Sequence, residues 1–166
     1  MASELKNLST YKKQSLVSAE KMRFGIVVSE WNEEITNALL KGAHSTLLAH
    51  GVKDKNILVK KVPGSFELPF GAQLLIKTGK VDSVICLGCV IQGETRHFEF
   101  ICNAVAGGIT KTALDNNMPV IFGVLTTNNL QQAKDRSGGK HGNKGVEAAI
   151  TAIKLIAFKR EIHDIK

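Results

Sequence analysis

Apolar residues in this chain fall into short unbroken runs separated by longer stretches in which they recur every three or four positions. The runs FGIVVS (24–29), NILVKKV (56–62), SVICLGCVI (83–91) and VIFGVL (120–125) are rich in β-branched residues and too short for ordinary helices, so they predict four strands. The third is apolar enough to be covered on both faces. Between the first two runs, Ile35, Leu39, Ala43 and Leu47 repeat every fourth position and predict a helix. Asn32 is its expected N-cap, Glu33 and Glu34 suit its first turn, and Gly51 its end. A second helix, from about Glu67 to Thr78, tolerates Pro69 because it falls early, and Gly79 stops it. Phe98, Ile101, Cys102, Val105 and Ile109 stripe a third. A short helix near Leu130–Arg136, a glycine-rich turn SGGKHGNKG (137–145) and a long helix through Val146, Ala149, Ile150, Ile153 and Ala157 follow.

Regular alternation of strand and helix implies an α/β domain over 23–166, with a central parallel four-stranded sheet and helices on both faces, joined by right-handed crossovers. A flavodoxin-like three-layer sandwich is the expected form, and in such sheets ligands bind beyond the carboxyl ends of the strands, where the strand order reverses. Residues 1–22 are polar and without sustained period, which suits an arm or an edge strand. Length and hydrophobic content fit one ordinary core.

Net charge changes this picture little. The chain carries a formal +7, but five Lys or Arg against two Glu fall in 1–25 and four against two acids in 154–166. The middle is nearly balanced, so neither a broad nucleic-acid face nor a membrane partner is expected. No run approaches the length of a membrane span and the first residues lack a secretory core, so the expected location is cytoplasmic. Three cysteines give no disulfide framework. The CLGC of 86–89 has redox or zinc spacing, yet a strand sends positions i and i+3 to opposite faces, so two buried thiols are expected instead.

The unusual residues cluster in the four segments that follow the strands, SEWN (29–32), PGSFEL (63–68), QGETRH (92–97) and TTNN (126–129). Trp31, Phe66, Glu67 and His97 should therefore share one rim. Each also has a structural reading: Trp31 and Phe66 as packing anchors, Glu67 as a first-turn carboxylate, Glu94 and Thr95 as helix-start residues. Imidazole suits proton transfer near neutrality, and free N–H groups at a helix start suit a phosphate. In the glycine-rich turn Arg136, Lys140 and Lys144 suit an anion, although no Walker register fits and GNKG resembles the RNA-binding GxxG clamp only weakly. His44, His50, His141 and His163 are scattered, so no metal is expected.

Taken in order, SEWNEEIT, VPGSFELP, LGCVIQGETRHFEFICN, PVIFGVLTT and KHGNKGVEAA resemble the successive signatures of the lumazine synthase family, over roughly residues 23–157. The resemblance implies a cofactor-free transferase of riboflavin biosynthesis that condenses 5-amino-6-(D-ribitylamino)uracil with 3,4-dihydroxy-2-butanone 4-phosphate to 6,7-dimethyl-8-ribityllumazine, phosphate and water. By the same resemblance Trp31, where a phenylalanine is usual, stacks on the pyrimidine. Val90 and Ile91 border that ring, while Asn32, Ser65, Phe66 and Glu67 hold the ribityl chain. Gly93, Glu94, Thr95, Arg136 and Lys144 serve the phosphate, and His97 moves protons. Phe122 and Arg136 match residues that the family supplies from a neighbouring subunit of a pentamer. Pentamers of the family stand alone or build an icosahedral shell, and the short 137–145 turn is similar to that of shell-forming members. Departures are Gln92 for a common basic residue, Arg96 for an uncharged one and His141 for a small one. The competing reading is a flavodoxin-like module that binds flavin, nucleotide or RNA without this activity.

Overall fold

The computed structural model describes residues 18–165. Its elements are β1 (Phe24–Ser29), α1 (Glu33–Ala49), β2 (Ile57–Val62), α2 (Leu68–Lys77), β3 (Ser83–Ile91), α3 (His97–Asp115), β4 (Val120–Thr127), α4 (Leu130–Arg136), a small hairpin of β5 (Ser137–Gly139) and β6 (Gly142–Asn143), and α5 (Lys144–Asp164). The four long strands are parallel in the order β2-β1-β3-β4. This is the expected three-layer α/β sandwich, and its order reverses between β1 and β3.

Alternation along each strand decides which layer a side chain joins. Ile26, Val28, Ile85, Leu87 and Ile121 pack with α1 and α5, whereas Val27, Val84, Val120 and Val124 pack with α2 and α3. The two cysteines of CLGC obey the same rule: Cys86 lies in the α2/α3 layer and Cys89 in the α1/α5 layer. Burial pushes the Cys86 thiol up to about 12 and that of Cys89 up to about 11. Both are therefore protonated at neutral pH and chemically quiet.

Helix ends follow local chemistry, with one difference from expectation. Gly51 adopts φ 88° just beyond α1, as a left-handed stop requires. Asn32 stands at the start of α1, but it is itself left-handed (φ 58°, ψ 49°) and its side chain makes no cap. Its Nδ2 instead donates to the Cys89 carbonyl oxygen at 3.0 Å. Residues 137–143 form a paired hairpin rather than an open turn, with Gly138 (φ 133°) and Gly142 (φ 75°) taking the positive-φ positions, and Lys144 and Gly145 already open α5.

Asn143 is the hub of that region. Its Oδ1 accepts from the N–H groups of Gly145 (2.8 Å) and Val146 (3.3 Å), capping α5. Its Nδ2 donates to the carbonyls of Ala38 (3.0 Å) and Ser137 (2.9 Å), tying hairpin and α5 to α1. Residues 1–17 of the expected arm lie outside the described residues. Of its remainder, Ala19 and Met22 are buried, and Ala19 N–H donates to the His50 carbonyl at the end of α1. Among the described residues no helix is long and apolar enough to cross a membrane.

Candidate active site at the carboxyl edge of the sheet

A cleft of ≈ 660 Å³ opens at the β1/β3 reversal, lined by Trp31, Asn32, Gly64, Ser65, Phe66, Glu67, Cys89, Val90, Ile91, His97 and Ile101. Three segments build it. Past β1, the N–H groups of Glu30 and Trp31 donate to the carbonyls of Val62 and Pro63 (2.9 and 3.1 Å). These bonds extend the sheet ladder and hold the indole beside Gly64. Past β2, residues Ser65–Glu67 form a single 3-10 turn. Glu67 Oε2 accepts from Gly64 N–H at 2.9 Å, which fixes the carboxylate across the turn. Past β3, residues 92–96 lead to His97 at the first position of α3, whose N–H donates to Thr95 Oγ1 at 3.4 Å.

Two aromatic side chains are left largely uncovered here, Trp31 at 73% and Phe66 at 57% relative exposure. Large apolar rings seldom stay in water without a flat ligand or partner to cover them. Half-buried Val90 and Ile91 floor the cleft, Glu67 supplies a carboxylate, and His97 supplies an exposed imidazole at its mouth. Such a lining accepts a planar polar ring and offers one group able to take and return protons.

A second cleft, ≈ 790 Å³, runs along β4, one of the two edge strands, under α5. Phe122, Thr126, Arg136, Lys144, Glu147 and Thr151 are among its lining residues. Arg136 donates one guanidinium N–H to the Gln132 carbonyl at 3.1 Å, and Lys144 Nζ meets Glu147 Oε2 at 2.6 Å. Phe122 is 43% exposed. Planar guanidinium, ammonium and ring together suit a phosphorylated small molecule.

Of the expected site residues, Trp31, Asn32, Ser65, Phe66, Glu67, Val90, Ile91 and His97 line the first cleft, while Phe122, Arg136 and Lys144 line the second. Gly93, Glu94 and Thr95 line neither; they are exposed on the loop leading to His97. The fourth loop, TTNN, does not join the first cleft as expected. Asn129 is spent on capping α4, its Oδ1 accepting from Gln132 N–H at 2.9 Å, and Asn128 N–H donates to the Gln132 side chain. Nor is GNKG an open clamp, since Gly142 and Asn143 pair in the hairpin and Asn143 caps α5. Arg96 turns to Glu99 at 3.2 Å rather than to the histidine. Sequence reasoning missed Glu147, which sits against Lys144 in the second cleft; its i+3 spacing from that lysine was the available signal. Among the described residues no group of three or more His, Cys, Asp or Glu side chains is placed to hold a metal ion.

Comparison with known proteins gives the family. Residues 21–160 match the family model described as 6,7-dimethyl-8-ribityllumazine synthase. Curated proteins of that name are similar over nearly their full length. The one from Phocaeicola vulgatus is 57% identical over 162 residues, covering 98% of this chain and 96% of its own. That from Cytophaga hutchinsonii is 61% identical over 157 residues, covering 95% and 98%. That from Porphyromonas gingivalis is 51% identical over 160 residues, covering 96% and 99%. A sandwich with aromatic, carboxylate and imidazole side chains gathered where its strand order reverses, matched across almost the whole chain, belongs to the 6,7-dimethyl-8-ribityllumazine synthase family.

Proposed function

We propose that the first cleft binds 5-amino-6-(D-ribitylamino)uracil and that it makes 6,7-dimethyl-8-ribityllumazine together with the Arg136 cleft of an adjacent copy. Trp31 stacks on the pyrimidine and Val90 and Ile91 bound its edge. Asn32, Ser65, Phe66 and the Glu67 carboxylate meet the ribityl chain. Arg136 and Lys144, with Phe122 beside them, hold 3,4-dihydroxy-2-butanone 4-phosphate, helped by Gly93, Glu94 and Thr95 from the loop before His97. The separation of the two clefts within one protomer is the observation that carries this reading, because neither holds every group the reaction needs. The chain then acts as an oligomer, a pentamer that stands alone or joins an icosahedral shell, in the cytoplasm.

The chemistry follows from the groups present. The 5-amino group attacks the ketone and one water leaves, giving an imine. Loss of a proton from the neighbouring carbon and departure of phosphate create an enol, which tautomerises to a ketone. The ribitylamino nitrogen closes the ring on that ketone and a second water leaves. Every step moves a proton, and His97 accepts and returns them in turn. Alignment of two bound substrates supplies much of the rate, up to about 7–11 kcal/mol where the geometry is ideal. No redox change occurs, so no electron carrier is required.

Complementation between variants tests the shared site. His97→Ala and Arg136→Ala chains are each expected to make little lumazine, read by its absorbance. Co-assembled in equal amounts they should regain activity, because about a quarter of random interfaces pair an intact histidine with an intact arginine. No recovery in a mixed assembly of normal mass would refute a site built from two copies.

A further inference from the structure

Gly88 lies in β3, buried, where the end of β1 and the turn that follows β2 come against it. It does not have positive φ, so backbone conformation does not demand glycine. Space does. A Cβ at this position would stand 2.6 Å from Ser65 Oγ, 2.9 Å from Leu68 Cδ1 and 3.4 Å from Ser29 Oγ. Ser29 ends β1, two residues before Trp31, and Ser65 begins the 3-10 turn that carries Phe66 and Glu67. Gly88 also precedes Cys89, whose carbonyl receives Asn32 Nδ2.

Both serine side chains are buried, and neither hydroxyl hydrogen-bonds to another group among the described residues. The polar ties of this stretch lie on either side of the turn, from the Trp31 N–H to the Pro63 carbonyl at 3.1 Å and from the Cys86 thiol to the Leu68 carbonyl at 3.9 Å. Between them, the close approach at Gly88 is where Ser65 meets β3. We propose that Gly88 is a positioning residue for the ribitylaminouracil: by lacking a side chain it lets the turn sink onto β3, and this depth fixes Phe66 and the Glu67 carboxylate at the cleft. The inference rests on the reading of that cleft as the pyrimidine and ribityl site.

Moving Ser65 Oγ from 2.6 Å to an ordinary 3.4 Å contact is a retreat of about 0.8 Å. A misplacement near 1 Å in a substrate-holding element costs up to about 100-fold. Steady-state kinetics of Gly88→Ala should therefore show KM for the ribitylaminouracil raised by about tenfold or more. KM for the phosphorylated ketone, held mainly from the other cleft, should stay within about twofold and kcat should fall less than the first KM rises. The same step is then made in a Ser65→Ala chain, where the obstructing oxygen is gone and only Leu68 Cδ1 at 2.9 Å, the end of a flexible side chain, has to give way. There Gly88→Ala should raise the first KM less than about threefold, a coupling between contacting residues.

Equal changes in both KM values, or an equal rise with and without Ser65→Ala, would overturn the proposal. So would an unmoved KM, which would mean that Ser65 merely rotates about χ1. Should Gly88→Ala alone give no folded oligomer, Ser65→Ala in the same chain is expected to restore it, and failure to do so also counts against the contact. Wild-type protein run alongside separates the two levels. No lumazine from it would sink the reading of the cleft, and this inference with it, whereas normal wild-type turnover with unmoved variant kinetics would sink this inference alone.

Discussion

Asn143 offers a sharp test of how the Arg136 cleft is held. Its amide makes four hydrogen bonds, two accepted by Oδ1 from the first turn of α5 and two donated by Nδ2 to Ala38 and Ser137. Asn143→Ala removes all four. Loss of an N-cap costs about 0.5–2 kcal/mol, and each lost donation to a part-buried carbonyl about 0.5–1.5 kcal/mol, so about 1.5–5 kcal/mol is expected in all. Asn143→Asp separates the halves. It keeps both accepted bonds and adds a favourable charge at the start of α5, worth about 0.3–1 kcal/mol. It also replaces two donors by a carboxylate oxygen facing two carbonyls, a loss of about 1–3 kcal/mol to set against that gain. Thermal unfolding followed by far-UV circular dichroism should place wild type above Asn143→Asp and that above Asn143→Ala. A chain of this size shifts by about 2–4 °C per kcal/mol. Protomer concentration must be fixed, because assembly adds its own stability. An aspartate variant as stable as wild type would refute the claim that the two Nδ2 donations tie the hairpin to α1.

Two further outcomes follow from packing. At Gly145 an added Cβ would lie 1.9 Å from the Leu39 carbonyl oxygen, a backbone atom that no rotamer change can move. Gly145→Ala should therefore lose more than about 3 kcal/mol or give no soluble oligomer, and a variant within 1 kcal/mol of wild type in urea titration would contradict the close α1/α5 contact. At Cys86, burial raises the folded thiol from its usual 9.0 to about 12, so the folded state holds the proton more tightly than the unfolded one. The corresponding stability is complete below pH 9 and is lost as pH climbs from about 9 towards 12, at up to about 1.4 kcal/mol per pH unit. Cys86→Ala should flatten that part of the alkaline decline, and parallel declines for the two proteins would rule the cysteine out as its source.

Much of the fold was legible because its signals are local. The four apolar runs became the four strands, and Leu130–Arg136 matched the short helix. The opposite facing of Cys86 and Cys89 needed only the two-residue period of a strand. What failed depended on contacts distant in sequence. Asn32 occupies a cap position, yet its amide is recruited 57 residues away by the Cys89 carbonyl, and no local pattern records that. TTNN counts among the loops expected at the rim because it follows a strand; in the structure its Asn129 is absorbed by the short helix that begins directly after it. Glu147 was passed over as one helical carboxylate among several, and becomes notable only when the hairpin folds Lys144 and Arg136 against β4.

Placement of the two clefts follows from strand order. β3 lies between β1 and β4, so the reversal that opens the first cleft is one strand removed from the free edge that opens the second. Loops past β1, β2 and β3 can reach the reversal, but α4 and the hairpin leave β4 at the sheet margin and carry Arg136 with them. An edge strand with an exposed phenylalanine is also a surface that soluble proteins ordinarily cover. Phe70 on α2 and Phe100 and Leu114 on α3 are exposed too, at 64%, 69% and 75%. Oligomeric assembly, which the family supports, is a general way of covering such faces. On the two-copy site proposed above, the strand order that parts the two clefts within one protomer also sets which margin a neighbour has to present to complete the pocket.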